Sequence, residues 1–527
     1  MSTKNSLLPA TPHLQCVQAT TQPNSISCPL DVSPHYDIGK PLLKDIWVDP
    51  VSGDDGADGS TRTQALRTLA RAWRMIPLRI EGHGWRIMLA AGRYEPHIAD
   101  QIMMEDRQGT RECPIILQSA DGPLTAELPM VEFCRCHFIY LLDLKIVTAS
   151  NSKIIPSQDC VLHFTACRDV LVRGVTAIGM AEAGRPLPAI VLKANQCLRL
   201  YVEDCDFSGA QGNALDYVAV QYGHIVRNRM HGTRSEVMYV KGGSAHHLIA
   251  GNELYDGVNH GVAAGQGTGF EYMVPPWLHY EAYDIKIVNN IIHDAGGGLA
   301  VLGGYNILVA WNTCYRVGTS RDTIVVGLGG RGPSSWSPAR RAQYHAMGGW
   351  CQGQSAQGYN IPNRNVQIRN NVILNPDGFE SRFAHLGISG PVAVAPGGNL
   401  PPLSRADDGL VIRGNIIWNG PADKPLLDDV EGVYHLAARP TADAAQLLRD
   451  NAINTLKPEL IDPEHGDFRP TPGGNLYRCA TDAIPDFDWF DAPTRPAVPP
   501  GNPNNQVILD RAGHPRLPGG PPGAFSR

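Results

Sequence analysis

One short pattern recurs along this chain and limits what it can fold into. Two or more apolar residues precede an Asn, two more follow it, and a turn comes next. It appears as "HIVRNRMHG" around Asn228, "HLIAGNELYDG" around Asn252, "IKIVNNIIHD" around Asn290, "ILVAWNTCY" around Asn312, "VQIRNNVIL" around Asn371 and "LVIRGNIIW" around Asn415. Upstream, Gly174 in "VLVRGVTAIG" and Asp204 in "LYVEDCDFSG" are aligned with the Asn. The successive intervals are 30, 24, 24, 38, 22, 59 and 44 residues. The shortest define a unit of 22 to 24 residues; the longer ones read as that unit plus inserted loops. Within a unit the apolar residues alternate, as Ile285, Ile287 and Ile291 do, which is the strand signal. A unit this short holds about three strands and three turns and cannot bury its own apolar face, so the units must stack. An Asn at one fixed place suits a left-handed turn or a ladder of side-chain amides running up the stack. Each unit is therefore expected to be one coil of a solenoid.

The ends agree with this. Residues Ile46–Pro77 read as a strand, a Gly/Asp turn and an amphipathic helix with Ala65, Leu66, Leu69, Ala72, Trp73 and Ile76 on one face. Such a helix can close the open end of a β-stack. Gly (55) and Pro (42) fit a turn-dense β protein of 527 residues. A net charge of -6 without a basic run argues against nucleic acid as partner. No apolar run reaches 18 residues, so no membrane span is expected. The first 30 residues are polar and contain Pro, so no signal peptide is read there. The twelve Cys include no CxxC pair, which argues against a zinc site of that type and for small buried core residues. Cys16 and Cys28 could pair in an exported protein.

"VDPVSGDDGADGS", the helix and "IMLAAGRY" together resemble the opening segment of right-handed parallel β-helix proteins of the pectate-lyase-like superfamily. The tail, "DPEHGDFRPTPGGNL" and onward, is similar to theirs, so the resemblance spans roughly residues 44 to 525. The expected fold is thus all-β: a right-handed parallel β-helix over 45–440, preceded by an irregular arm (1–44) and followed by a C-terminal coil and Pro-rich tail (441–527) packed on it. The superfamily includes lyases, hydrolases, epimerases and inert tailspike modules, so chemistry must be read from the site.

Long insertions in a compact repeat are usually functional. Three stand out: Gly257–Glu281, roughly Gly318–Pro362, and Asn375–Asp407. They are expected to leave at equivalent turns after the Asn strand and to meet on one side. Substrate contacts are expected from Gln266, Glu271, Trp277, Tyr280, Arg331, Trp336, Arg340, His345 and Arg382. Aromatic faces stack on sugar rings and guanidinium forks bind carboxylates, which points to an acidic polysaccharide.

"SEVMYVKGGS" resembles the strand that carries the base of the alginate lyase and chondroitinase B family, with Glu236 and Lys241 matching its acidic residue and its Lys. The resemblance implies β-elimination: Lys241 takes the proton α to a uronate carboxylate, and the acidic group helps hold Ca²⁺ that neutralises that carboxylate. A Lys can act so only where burial or nearby positive charge lowers its pKa. The family has an Arg-His-Gly strand about one coil later; here "GVAAGQGTG" stands there, with His260 and Gln266 nearest. The catalytic candidates are Lys241, His260, His279 and Arg321; the calcium candidates are Glu236 and Asp256, with Glu253 nearby. No organic cofactor is expected. The fold resemblance implies an extracellular or periplasmic protein. Two rivals remain: a glycoside hydrolase using Glu271, Glu281 or Glu380, and a non-catalytic carbohydrate-binding module.

Overall fold

A computed structural model describes residues 34–96, 101–148, 160–179, 187–331, 338–350, 359–379, 381, 383–393, 396–421, 423–427, 443–488 and 504–527. The chain winds into a parallel β-helix, and each coil contributes up to three strands. One coil shows the plan: Leu198–Glu203 lies on the first face, Asp206–Ala210 on the second and Asn213–Val218 on the third, and Gln221–Val226 returns to the first. The first face is a 12-stranded parallel sheet from Leu43–Val48 to Val411–Arg413. Long strands such as Glu253–Gly265 and Ile291–Leu302 run through the corner between the other two faces and join them.

Register explains the alternation seen in the sequence. Val202, Ile225, Ile249, Ile287, Val309, Ile368 and Ile412 are successive neighbours on the first face, and all point into the core. β-Branched side chains suit such a pleated, fully buried surface.

The Asn residues form a ladder. The Asn228 backbone N–H and side-chain Nδ2 each donate to Asn252 Oδ1 at 2.9 Å. The same pair of bonds links Asn252 to Asn290, Asn290 to Asn312, Asn312 to Asn371, Asn371 to Asn415 and Asn415 to Asn451. The left-handed residue is the one before the Asn: Arg227, Gly251, Asn289, Trp311, Asn370 and Gly414 all have φ between 55° and 69°. This corrects the sequence alignment by one residue. Asp204 and Gly174 occupy that left-handed position, and the ladder place falls to Cys205 and Val175. The Cys205 backbone N–H still donates to Asn228 Oδ1 at 2.9 Å, so it begins the ladder.

The helix Leu69–Met75, capped by the Thr68 hydroxyl, closes the first end with Leu69, Ala72 and Trp73 buried. The C-terminal segments cover two faces. Phe487 and Val507 pack on Val226, Val288 and Leu308 of the first face. Phe468 and Ala524 pack on Ile291, Tyr315 and Leu374 of the second. The nine cysteines among the described residues are all free thiols, five of them buried; Cys16 and Cys28 lie outside the described residues. No helix among the described residues is long and apolar enough to cross a membrane.

Candidate active site

On the third face, residues one coil apart stand side by side. His163, Lys193, Asp216, Tyr239 and Ala263 form one outward row. Lys193 Nζ is hydrogen-bonded to Asp216 Oδ2, which also accepts the Tyr239 hydroxyl at 3.1 Å. His163 Nε2 lies 2.9 Å from Asn195 Nδ2 and 3.2 Å from Thr165 Oγ1. Lys241 belongs to the next outward row and ends the strand Met238–Lys241. Its Nζ lies 4.2 Å from the Tyr239 ring centroid and donates to Gln266 Oε1 at 2.8 Å. Gln266 Nε2 in turn lies 3.4 Å from Glu236 Oε1, and the Ser235 hydroxyl donates to Glu236 Oε2 at 2.6 Å.

His163, Lys193, Asn195 and Lys241 of this array line a cleft of about 450 Å³, together with Cys160, Gly267–Gly269 and Tyr272 among others. The segment after Gly265 folds back across earlier coils to wall it: the Gln196 side chain donates to the Tyr272 carbonyl at 3.2 Å, and the Thr268 hydroxyl donates to Glu281 Oε2 at 2.7 Å. Tyr272 is 52% exposed at the rim.

Electrostatics follow from burial. Desolvation pushes the Lys241 pKa down, and nearby Lys193 adds to this, while Asp216, Glu281 and Glu236 oppose it. Desolvation and nearby Lys193 hold His163 down to about 4. Burial works to raise Glu236, but the Ser235 hydroxyl, His260 and Lys241 outweigh it and keep it an anion. His260 is held well below its usual range by burial and by Arg321, with Glu236 opposing.

The described parts of the three insertions do meet, but they leave chiefly after the third-face strand rather than after the Asn strand. The Trp350 N–H donates to the Leu278 carbonyl at 3.1 Å, Asn399 Nδ2 to the Gly349 carbonyl at 2.8 Å, and the Gly330 N–H to the Gln266 carbonyl at 2.6 Å.

The structure sorts the residues expected from sequence. It brings Lys241, Gln266 and Glu236 together, and of the three Lys241 lines the cleft. His260 sits one coil on from Glu236, buried beside Gly297, with neither ring nitrogen hydrogen-bonded among the described residues. Arg321 is exposed next to it and donates to the Ser320 carbonyl. Trp277 and Tyr280 do not line the Lys241 cleft: they are buried with Tyr283, Tyr305 and Trp350 in an aromatic core of the loops, where Tyr280 and Trp350 reach a separate recess of about 580 Å³ beside Arg364 and Arg405. His279 packs edge-on against Trp350 in that core, and desolvation and Arg331 take its pKa to about 4. Arg331 is buried in an ion pair with Glu281, so neither is available as fork or acid. Glu271 is exposed in the short turn Phe270–Tyr272 and does not line the cleft. His345 is half-buried on the helix Pro338–Ala346. Trp336, Glu380, Arg382 and the Arg340 side chain lie outside the described residues.

Asp256 is exposed on the second face beside Gly232, apart from Glu236. Both oxygens of Glu236 already face donors, and the one group of three metal-type ligands among the described residues is His35, Glu203 and Asp204. The residues around Glu236 therefore do not fit a calcium cage, which needs six to eight oxygens.

Lys193, Asp216, Tyr239, His163 and Tyr272 were missed in sequence. A signal existed: Lys193, Asp216 and Tyr239 are spaced 23 residues apart, one coil each.

Neither a family model nor a curated relative matches the sequence. Among solved structures, the chain is similar to one described as a complex of XylC with xylose, at 9% identity and TM-score 0.50, covering 92% of this chain and 98% of that one. It is also similar to a rhamnogalacturonan lyase (12%, TM-score 0.42, covering 71% and 87%) and to the A-module of the mannuronan C-5 epimerase AlgE4 of Azotobacter vinelandii (14%, TM-score 0.37, covering 64% and 86%). All are parallel β-helix proteins, and at these identities the likeness concerns the fold.

Proposed function

We propose that this chain is a polysaccharide-active enzyme that cleaves a uronate-containing glycan by β-elimination, with Lys241 as the base. The observation that carries this is the setting of Lys241: its amine lines a cleft, rests on an aromatic ring and meets a neutral amide instead of a carboxylate. Burial disfavours its charged form. With Lys241 as the neutral base, Lys193 is the cation lining the cleft that suits an anionic sugar, and its ion pair with Asp216 holds it in place. Lys193 is placed to offset the substrate carboxylate, and Tyr272 to stack on a neighbouring ring.

In the proposed step the α-proton passes to Lys241 Nζ. The C–O bond at the β-carbon breaks, a C=C bond forms between the α- and β-carbons, the departing oxygen takes a proton from water, and the proton on Lys241 then passes to the hydroxide that remains. Among the described residues the hydrolase rival is less well supplied with acids: Glu281 is tied to Arg331 and Glu271 does not line the cleft, while Glu380 lies outside the described residues. Such a substrate goes with work outside the cytoplasm.

The test is absorbance of unsaturated uronates over a panel of acidic polysaccharides. Product with the wild type and none with Lys241→Ala supports the reading. Reducing ends without unsaturation would select hydrolysis. Binding without turnover, unchanged in Lys241→Ala, would select a binding module.

A further inference from the structure

One coil on from Lys241 the third-face strand ends in Gly265, at φ 84°. A Cβ there would stand 2.0 Å from the Leu302 carbonyl oxygen, so no side chain fits. The space beside the Lys241 amine is left to the next residue, Gln266, whose backbone is pinned by the 2.6 Å bond from the Gly330 N–H.

The chemistry of the amide settles its orientation. The Glu236 carboxylate has acceptors only, so Nε2 must face it, which leaves Oε1 to Lys241. The carboxylate thus orients the amide, and the amide orients the amine. Charged groups surround this array on every side. Asp216 and Lys193 lie on the two preceding coils, with His163 one further back. Tyr239 is on the strand of Lys241 itself, Glu281 is at the base of the folded-back segment, and Glu236 and His260 stand at the corner. A carboxylate in direct contact with Lys241 would favour the ammonium and hold the proton that a base must lack.

We propose that Gln266 is a positioning residue: it holds the Lys241 amine toward the cleft while keeping Glu236 at one remove from it. The proposal rests on Lys241 being the base, but its test does not need a substrate. Competitive acetylation of the full chain with acetic anhydride across pH, read by mass spectrometry on the Lys241 peptide, reports the midpoint of that amine. Gln266→Glu places a carboxylate where the amide oxygen stands and is expected to raise the midpoint by about one pH unit or more. Gln266→Leu removes the acceptor and is expected to leave the midpoint at or below that of the wild type. An unchanged midpoint in Gln266→Glu, or a rise in Gln266→Leu, overturns the proposal. Should Gln266→Glu fail to fold, Gln266→Leu decides alone. On a glycan that yields product, Gln266→Leu is expected to lower kcat about tenfold or more with KM little changed. Silence over the whole glycan panel together with the expected acetylation shifts sinks the lyase reading and leaves the role of Gln266 standing.

Discussion

Arg331 Nη1 lies 2.7 Å from Glu281 Oε1, and both side chains are sealed from solvent. The pair ties the second insertion to the end of the first. Glu281 spends its other oxygen on the Thr268 hydroxyl and the Gly242 N–H, so it also fixes the wall of the cleft. Removing one partner would strand a buried charge. Glu281→Ala is expected to cost about 3–5 kcal/mol in denaturant unfolding, and a double change to Gln and Met at 281 and 331 distinctly less. Equal losses in the two variants would show that the pair acts as packing alone.

Lys241→Ala and Lys241→Met are expected to lower product formation roughly 10²–10⁴-fold without altering the unfolding midpoint. Lys241 is partly buried at a strand end, and the Met variant keeps its apolar stem, so little packing is lost. A variant that keeps wild-type rates would remove it from the chemistry.

Because burial lowers the Lys241 pKa, the rate should rise with pH and level off below the ordinary lysine range. A pH profile of kcat/KM measures this. Gln266→Glu should move the rising limb to higher pH.

Burial holds His163, His247, His279 and His385 at about 4, well under their ordinary 6.5. Unfolding between pH 6.5 and 4 must therefore take up protons, and stability should fall as pH falls through that window and stay level above it. Denaturant midpoints at pH 7 and pH 5 test the sign. A protein equally stable at both would mean that these rings are already charged in the fold.

Asn312→Ala removes the oxygen that accepts both the backbone N–H and the Nδ2 of Asn290. A cost of about 1–3 kcal/mol is expected, since the stranded donors are buried. Asn475, whose side-chain hydrogen bonds are open to solvent, should cost less.

Much of the scaffold is readable in the sequence because each coil restates one instruction. β-Branched residues alternate around an Asn whose side chain bonds to its counterpart one coil away and to the backbone of the preceding coil. The one-residue misalignment at Asp204 and Gly174 has a physical origin: a left-handed residue and a ladder residue stand side by side, and Asp, Asn and Gly are all at home in the left-handed place, so either position can be taken for the other. Asn451, the last rung, hides at the end of the helix Ala444–Asp450. Lys241 is legible from its strand. The array around it is not, because Lys193, Asp216 and Tyr239 become neighbours only through register. Trp277 and Tyr280 look like sugar platforms in sequence, yet a long insertion needs an apolar centre of its own, and they supply it.

The bond from the Asn290 N–H to Asn312 spans 22 residues of chain, and that from the Asn312 N–H to Asn371 spans 59, yet both measure 2.9 Å. The rungs thus register neither the length nor the make-up of what bulges out between them. Such a rod tolerates grafting: its flank can be recarved for a new glycan by exchanging one bulge while the pitch beneath stays the same.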